Sequence, residues 1–72
     1  MLGLKPIKTL PIREKIAATL REAILARKIP AGEILTLEST AQELGVSITP
    51  VREAFQILAR DGLLELKQNK RA

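Results

Sequence analysis

The chain has 72 residues, a net charge of +4 and neither cysteine nor histidine. This length is enough for one domain, and the missing residue types exclude disulfide bonds, thiolate metal sites and imidazole bases. The acidic residues are scattered singly, so we expect no metal, no cofactor and no enzyme active site. The basic balance suits a polyanionic partner. Because no apolar run is long enough to span a membrane, we expect a cytoplasmic binding domain.

The first predicted helix follows a short N-terminal arm. Residues 1–11 contain two prolines and no hydrophobic period, which predicts a flexible arm. A helical period begins at Ile12, and Arg27 and Lys28 are placed in the last turn of this helix, where positive charge suits the dipole. Leu25 points away from the core, either as an ordinary exposed leucine or as a contact to a second domain or subunit. The predicted core face repeats every three or four residues and consists of Ile12, Ile16, Leu20, Ala23 and Ile24.

The second predicted helix follows a turn and a short extended segment. Residues 30–32 predict a tight turn, with the proline at its first inner position and the glycine at its exit. Either Ile34 or Leu35 then faces inward. Thr36 is a suitable N-cap, and Gly45 is a suitable residue to end the helix. The predicted inner face of this helix consists of Leu37, Thr40, Ala41 and Leu44.

A third helix is predicted over about 48–60, with Ser47 as its N-cap and Pro50 in its first turn. A proline fits there because the first N–H groups of a helix have no intrahelical partner. Asp61 and Gly62 are expected to end the helix. Its predicted core face consists of Val51, Ala54, Phe55 and Leu58.

The short link between the second and third helices suggests a function. Residues 45–47 have the length of the turn in a helix-turn-helix, whose second helix enters the major groove of DNA. Thr49, Arg52 and Gln56 share a solvent-facing side near the start of the third helix. The N-terminus of a helix favours a phosphate, and an arginine there can reach a guanine edge. A helical corner that never touches DNA has the same spacing, so the spacing alone leaves both interpretations open.

The residues after the third helix predict a wing. Leucines alternate with charged residues over 64–67, which predicts a short strand with one buried face. Lys67, Lys70 and Arg71 then lie together in a polar turn. A strand that leads to a basic turn has the layout of a wing, whose tip lies along the DNA backbone or in the minor groove; a frayed basic tail is the alternative. The predicted fold is mostly α with a small β wing, a winged helix-turn-helix with three helices and a short β-strand or hairpin.

Three stretches together resemble the N-terminal winged helix-turn-helix domain of GntR-family bacterial transcription regulators. They are LREAILARKIPAGEIL, AQELGVSITPVREAFQILARDGLLEL and QNKRA, and the resemblance covers residues 12–72. The TPVREA form is similar to the FadR-type branch, which carries an all-helical ligand-binding domain after the wing. The resemblance implies a homodimer on a palindromic operator in double-stranded DNA. It implies a small-molecule effector only where a C-terminal domain exists, and we expect the second wing strand and such a domain to lie outside this chain.

The resemblance also implies which residues contact DNA. Ser47, Thr49 and Arg52 match positions that contact the operator at the start of the recognition helix, and Pro50 matches a position close to the DNA backbone. The wing over 67–71 is expected to enter the minor groove with its tip. The predicted DNA-binding residues are Ser47, Ile48, Thr49, Pro50, Arg52, Gln56, Lys67, Asn69, Lys70 and Arg71.

The chain departs from the family pattern at two of these positions. Ile48 stands where the family usually has arginine, and it can only touch a thymine methyl group or pack locally, so we expect no guanine preference there. Arg71 stands where the family commonly has a glycine in the wing turn, and it adds a charge to the tip. Glu38 matches a position that lies near phosphate in some members, and since an acid there should not bind phosphate, we assign it a structural role.

Two other hypotheses remain open on the sequence. The first is a winged-helix module that binds another protein through Leu25 and Ile57 as exposed apolar contacts. The second is a chain that folds but binds DNA too weakly alone, because a single half-site reader lacks the second half-site that gives operators their affinity. A titration with short duplex DNA at low and moderate salt distinguishes DNA binding from protein binding.

Overall fold

The computed structural model describes Gly3 and residues 10–66. This part of the chain forms three helices, α1 (Ile12–Leu25), α2 (Leu37–Leu44) and α3 (Ile48–Arg60). The three predicted helices are thus confirmed, and the described part is mostly helical. No described segment forms a strand, and no described helix is long and apolar enough to cross a membrane. The predicted arm lies outside the described residues except at its glycine and its last two residues, and the predicted wing tip over 67–71 lies entirely outside them.

Helix α1 begins as predicted, but its core face differs at two positions. The carbonyl oxygen of Pro11 accepts hydrogen bonds from the N–H groups of Glu14 and Lys15 at 2.9 and 3.2 Å. Ile12 was predicted in the core, yet it is 49% exposed, because side chains lean toward the helix N-terminus and a first-turn residue projects beyond the packed surface. Ala17 is buried and was not predicted. Of the predicted core residues in α1, Ile16 and Leu20 are buried, and Ala23 and Ile24 are half-buried.

The end of α1 corrects the prediction for Arg27 and Lys28. The helix ends at Leu25 with no basic residue in its last turn. Arg27 adopts a left-handed backbone with φ of 60°. Its N–H group donates to the carbonyl oxygen of Ile24, and the N–H group of Lys28 donates to that of Ala23, at 3.1 and 2.9 Å. This pair of bonds is the Schellman motif that closes many helices, so both cations lie just beyond the helix.

The turn that follows is shifted by one residue from the prediction. The N–H group of Glu33 donates to the carbonyl oxygen of Pro30 at 3.1 Å, which makes the proline the first residue of the turn rather than its first inner one. Gly32 occupies the third position with φ of 85°, as a type II turn requires. Of the two candidates for an inward residue, Leu35 packs against the core and Ile34 is exposed.

Helix α2 has the caps and the inner face that were predicted. The side chain of Thr36 accepts a hydrogen bond from the N–H group of Ser39 at 3.1 Å, which satisfies one of the unpaired donors at the helix start. Gly45 ends the helix in the left-handed conformation. Two residues of the predicted inner face are buried and two are half-buried: Thr40 and Ala41, then Leu37 and Leu44.

The core lies where α1 and α2 pack against α3. The predicted core face of α3 is confirmed, since Val51, Ala54, Phe55 and Leu58 are all buried. A salt bridge of 2.7 Å also joins Arg21 of α1 to Asp61 at the end of α3. Both side chains are more than one third exposed, so this pair contributes no more than about 1 kcal/mol. Apolar packing therefore holds α3 in place.

The predicted strand after α3 is not confirmed. Helix α3 ends at Asp61 and Gly62 as expected, with the N–H group of Leu63 bonded to the carbonyl oxygen of Leu58 at 2.9 Å. Leu64 packs against the core, but Leu66 is 51% exposed, so the predicted face of alternate leucines is only half covered. A strand requires a ladder partner, and no described segment pairs with these residues.

Candidate nucleic-acid interface

The link between α2 and α3 fixes where α3 begins. Gly45 has φ of 69°, and its N–H group donates to the carbonyl oxygen of Gln42 at 3.3 Å. The N–H group of Val46 donates to the carbonyl oxygen of Ala41 at 3.0 Å, and the valine side chain packs against the core. Two backbone hydrogen bonds and one apolar contact therefore hold Gly45 and Val46 in place. Ser47 is the only residue between Val46 and α3.

The start of α3 is open. Ser47 occupies the predicted N-cap position in an extended conformation, with φ of −77° and ψ of 166°, but its side chain forms no capping hydrogen bond. Its hydroxyl group and the first N–H groups of α3 are therefore available to a partner. A helix N-terminus with unpaired donors and a positive dipole end suits an anion such as a phosphate.

The outer face of α3 consists of the side chains that were predicted to face solvent. We call this set the recognition face; its members are Ser47, Ile48, Thr49, Arg52 and Gln56, and all of them are exposed. Pro50, the remaining predicted contact on α3, is half-buried and sits in the first turn. Within the described residues, Arg52 forms no salt bridge. Its guanidinium group is thus able to meet a base edge or a phosphate without first breaking an ion pair.

One member of the recognition face is apolar. Ile48 is the first residue of α3 and is 37% exposed. Its sequence neighbours, Ser47 and Thr49, carry hydroxyl groups and are exposed as well. The first turn of α3 therefore presents an aliphatic group between two hydrogen-bonding groups.

Helix α3 and the residue that ends it carry no net formal charge. Arg52 and Arg60 are offset by Glu53 and Asp61. Among the described residues, no group of three or more acidic side chains could hold a metal ion. Hydrogen-bonding groups and shape thus distinguish the recognition face more than charge does.

The remaining predicted site residues belong to the predicted wing. Lys67, Asn69, Lys70 and Arg71 lie outside the described residues, so their role stays a prediction. Glu38, to which we assigned a structural role, lies in the first turn of α2 and is exposed. There its charge suits the positive end of the helix dipole.

The structure also weakens the protein-binding alternative. Leu25 is 67% exposed, as expected. Ile57, however, is half-buried and packs against the core, so its assignment as an exposed contact was wrong. The residue lies on the flank of the apolar stripe of α3, between the buried face and the recognition face. Of the two contacts that this alternative names, Leu25 alone is exposed, and a single exposed leucine is normal on a protein surface.

Two features of the site have little signal in the sequence. The pairing of Arg21 with Asp61 joins residues that are 40 positions apart, and periodicity does not report it. The missing cap bond of Ser47 has one local signal, Pro50 at the third helical position, which lacks an N–H group that an N-cap side chain often bonds. The left-handed glycine after α2, by contrast, was readable from the sequence because helices so often end at such a residue.

Three packed helices, with a short fastened link and an exposed start of the last helix, define a helix-turn-helix domain of the class that regulators of transcription use. The comparisons with known proteins agree. The family model described as "Bacterial regulatory proteins, gntR family" matches residues 12–72. The chain belongs to the GntR family of bacterial regulatory proteins, as the resemblance in the sequence predicted.

Similar proteins are named as transcription regulators. The gluconate operon transcriptional repressor of Bacillus subtilis (strain 168) is 39% identical over 54 residues, which are 75% of this chain and 22% of the relative. The repressor of the same name from Bacillus licheniformis is 37% identical, with the same coverage. An "Uncharacterized HTH-type transcriptional regulator in unstable DNA locus" of Streptomyces ambofaciens is 37% identical over 54 residues, 75% of this chain and 23% of the relative. No solved structure gives a significant match.

The chain thus spans less than a quarter of the length of these relatives. Their names and the family describe transcription regulators rather than enzymes, in line with the expectation from composition. What the comparisons establish for this chain is its family and its helix-turn-helix.

Proposed function

We propose that this chain is the sequence-specific DNA-binding domain of a bacterial transcriptional regulator, with α3 in the major groove and residues 67–71 in the minor groove. The observation that carries the proposal is the open start of α3. Ser47, Thr49 and Arg52 are exposed there together, next to a helix N-terminus without a side-chain cap. Such a start offers N–H groups to a phosphate and side chains to base edges at the same time.

Each residue of the recognition face has a role that follows from its chemistry. Arg52 carries the one positive charge on this face, and it would bond a guanine edge bidentately or hold a phosphate. The hydroxyl groups of Ser47 and Thr49 would bond phosphate oxygens or base edges. Gln56, two turns into the helix, would reach an adenine or the sugar–phosphate backbone. Pro50 would lie against the backbone without donating a hydrogen bond.

The wing would supply most of the charge. Because α3 is nearly neutral, we assign the phosphate contacts chiefly to Lys67, Lys70 and Arg71. Asn69 would contact the minor groove beside them, where the negative potential attracts cationic side chains. This assignment rests on the sequence order after α3 and on the family resemblance.

The whole regulator would be a homodimer on a palindromic operator, since two half-sites give a dimer the affinity that one domain lacks. The TPVREA sequence at 49–54 favours the FadR-type branch, with an all-helical effector domain after the wing. A small-molecule effector would bind in that part of the protein. Such a regulator would act on the chromosome in the cytoplasm.

The experiment is a selection of bound sequences from random duplex DNA, followed by titration of the selected duplex at low and moderate salt. We expect a defined half-site and a binding constant that falls as salt rises. Arg52→Ala should weaken binding by about 5- to 150-fold, as the loss of about 1–3 kcal/mol at a base contact predicts. Lys28→Ala removes the same charge from an exposed position beyond α1 and serves as the matched control.

A chain that enriches no sequence and leaves duplex unbound at low salt would contradict the proposal. Equal reductions of affinity for the Arg52 and Lys28 variants would contradict the assignment of the recognition face, because only general charge would then matter.

The wing assignment has its own test. Neutralising Lys67, Lys70 and Arg71 together should lower both the affinity and the dependence of binding on salt, by about one unit of log–log slope for each phosphate that the wing no longer neutralises. If the affinity and the slope both stayed unchanged, these residues would not contact DNA.

A further inference from the structure

Ile48 is the one apolar residue on the recognition face, where the other side chains are polar. It is the first residue of α3 and keeps 37% of its surface exposed. Within the described part of α3 it is the one large apolar side chain with that exposure. The core under this helix is filled by the residues that share the buried face further along.

The position of Ile48 favours contact with whatever meets the helix end. Side chains in an α-helix lean toward the N-terminus, so a first-turn side chain projects ahead of the helix. A β-branched side chain in a helix has one strongly preferred rotamer, so little side-chain entropy is lost when it is held against a partner. Ile48 is thus a rigid aliphatic probe at the front of α3.

The major groove of DNA presents one kind of apolar group that Ile48 could contact, the methyl group of thymine. Guanine, adenine and cytosine present hydrogen-bond donors and acceptors there, while thymine adds a C5 methyl group. Packing an isoleucine against a donor or acceptor expels water and leaves that group unpaired, which is costly. Packing it against the methyl group removes apolar surface of both partners from water.

We propose that Ile48 reads a thymine methyl group, so that the half-site carries a thymine opposite the first turn of α3. This inference rests on the proposed function and deepens it, because it names a base that the protein selects. Apolar contact then specifies this position, while Arg52 and the hydroxyl groups of the recognition face specify or hold its neighbours. The same chemistry would accept 5-methylcytosine, which places a methyl group at the same point of the groove.

The test is a uracil scan of the selected duplex, because uracil in place of thymine removes only the methyl group. Each thymine is replaced in turn, and the binding constant of each duplex is measured for the chain and for Ile48→Ala. We expect one thymine in the half-site whose replacement weakens binding to the unaltered chain by about fourfold, the fold-change that about 0.8 kcal/mol for one methylene-sized group gives. With Ile48→Ala the penalty at that thymine should vanish, while penalties at other thymines remain.

Three further measurements keep the result specific. Leu25→Ala removes an equally apolar, exposed side chain from α1 and should leave every uracil penalty unchanged. Circular dichroism of Ile48→Ala checks that the helices persist, which we expect because the residue is partly exposed and alanine favours helices. Ile48→Val keeps the branched stem and should retain part of the penalty at the selected thymine.

The outcomes separate this inference from the proposed function. If the chain selects a half-site but no uracil penalty depends on Ile48, the inference is overturned and the proposed function stands. If the duplex with 5-methylcytosine at the selected position binds as well as the thymine duplex, and cytosine binds more weakly, the inference is supported. If no duplex is selected at all, the proposed function fails and the inference fails with it.

Discussion

The starts of α2 and α3 use similar residues in different ways. Thr36 and Ser47 both stand at an N-cap in an extended conformation. The threonine bonds the N–H group of Ser39 and also lies 2.6 Å from the hydroxyl group of that serine, so the first turn of α2 is closed by the chain itself. The serine at position 47 forms no such bond. A hydroxyl group at a helix start therefore caps the helix in one case and forms no cap bond in the other.

The difference has a structural cause in the residues that follow each cap. In α2 the third helical position is Ser39, whose N–H group donates to the cap. In α3 the third position is Pro50, which has no N–H group to donate. The proline thus removes one of the two N–H groups that an N-cap side chain usually bonds. Pro50 therefore helps to leave the start of α3 uncapped, while the link between α2 and α3 stays three residues long.

We expect the largest change in stability from a substitution at Gly45, which joins α2 to α3. Gly45 has a left-handed backbone, and apart from its two chain neighbours no described residue places a heavy atom within 4 Å of where a Cβ would stand. Gly45→Ala should therefore cost about 1–2 kcal/mol of unfolding free energy through backbone strain alone, measured by urea denaturation. An unchanged stability would show that the link does not need this conformation.

Gly62→Ala is the matched control for the link. Gly62 also has a positive φ, of 77°, and no described residue beyond its two chain neighbours comes within 4 Å of its Cβ position, but it follows α3. We expect a similar reduction of stability and a smaller effect on duplex affinity, because this change leaves the start of α3 in place. A drop in affinity equal to that of Gly45→Ala would argue against a special role for the link.

Alanine substitutions at Thr36 and Ser47 compare the two N-cap residues directly. Thr36→Ala should destabilise the domain by about 1 kcal/mol, since it removes a cap bond, and should leave duplex affinity unchanged once the protein is folded. Ser47→Ala should lower the unfolding free energy by much less, since it removes no cap bond, but should weaken duplex binding several-fold. Denaturation and titration of both variants measure the two quantities. Reversed results would show that Ser47 is the structural cap.

The smallest effect concerns the end of α1. Arg27 occupies a left-handed position that the other two helix ends fill with glycine. Arg27→Gly should stabilise the domain by about 0.5–1 kcal/mol, because the steric cost of a side chain at positive φ is removed. Lys28→Gly, next to it and without a positive φ, should not stabilise. A lower stability for Arg27→Gly would mean that the side chain makes favourable interactions which outweigh the strain.

The helices and their buried faces were predictable because the signals are local. A 3.6-residue period identified the core of α3 completely, and Thr36 and Gly45 marked the ends of α2. The prediction was wrong at Arg27 because a non-glycine residue in a left-handed conformation has no sequence signature. It was wrong at Ile12 because periodicity does not report where a packed surface stops.

The exposed residues of the candidate site were also predictable from the sequence, but the state of its N-cap was not predicted. The exposure of Thr49, Arg52 and Gln56 follows from the same period that buries the core face, and the structure agrees. The open cap at Ser47 was not predicted, although Pro50 at the third helical position provides a signal for it. The strand over 64–67 depends on pairing with a second segment, and alternation alone does not establish that partner.

The recognition face at the start of α3 is the surface that we propose meets DNA. The most direct measurement is the change in backbone amide chemical shifts when the selected duplex is added to the chain. We predict that the largest changes within residues 10–66 fall over 46–56, with α2 and Leu25 little changed. Large changes around Leu25, with residues 46–56 unchanged, would contradict it.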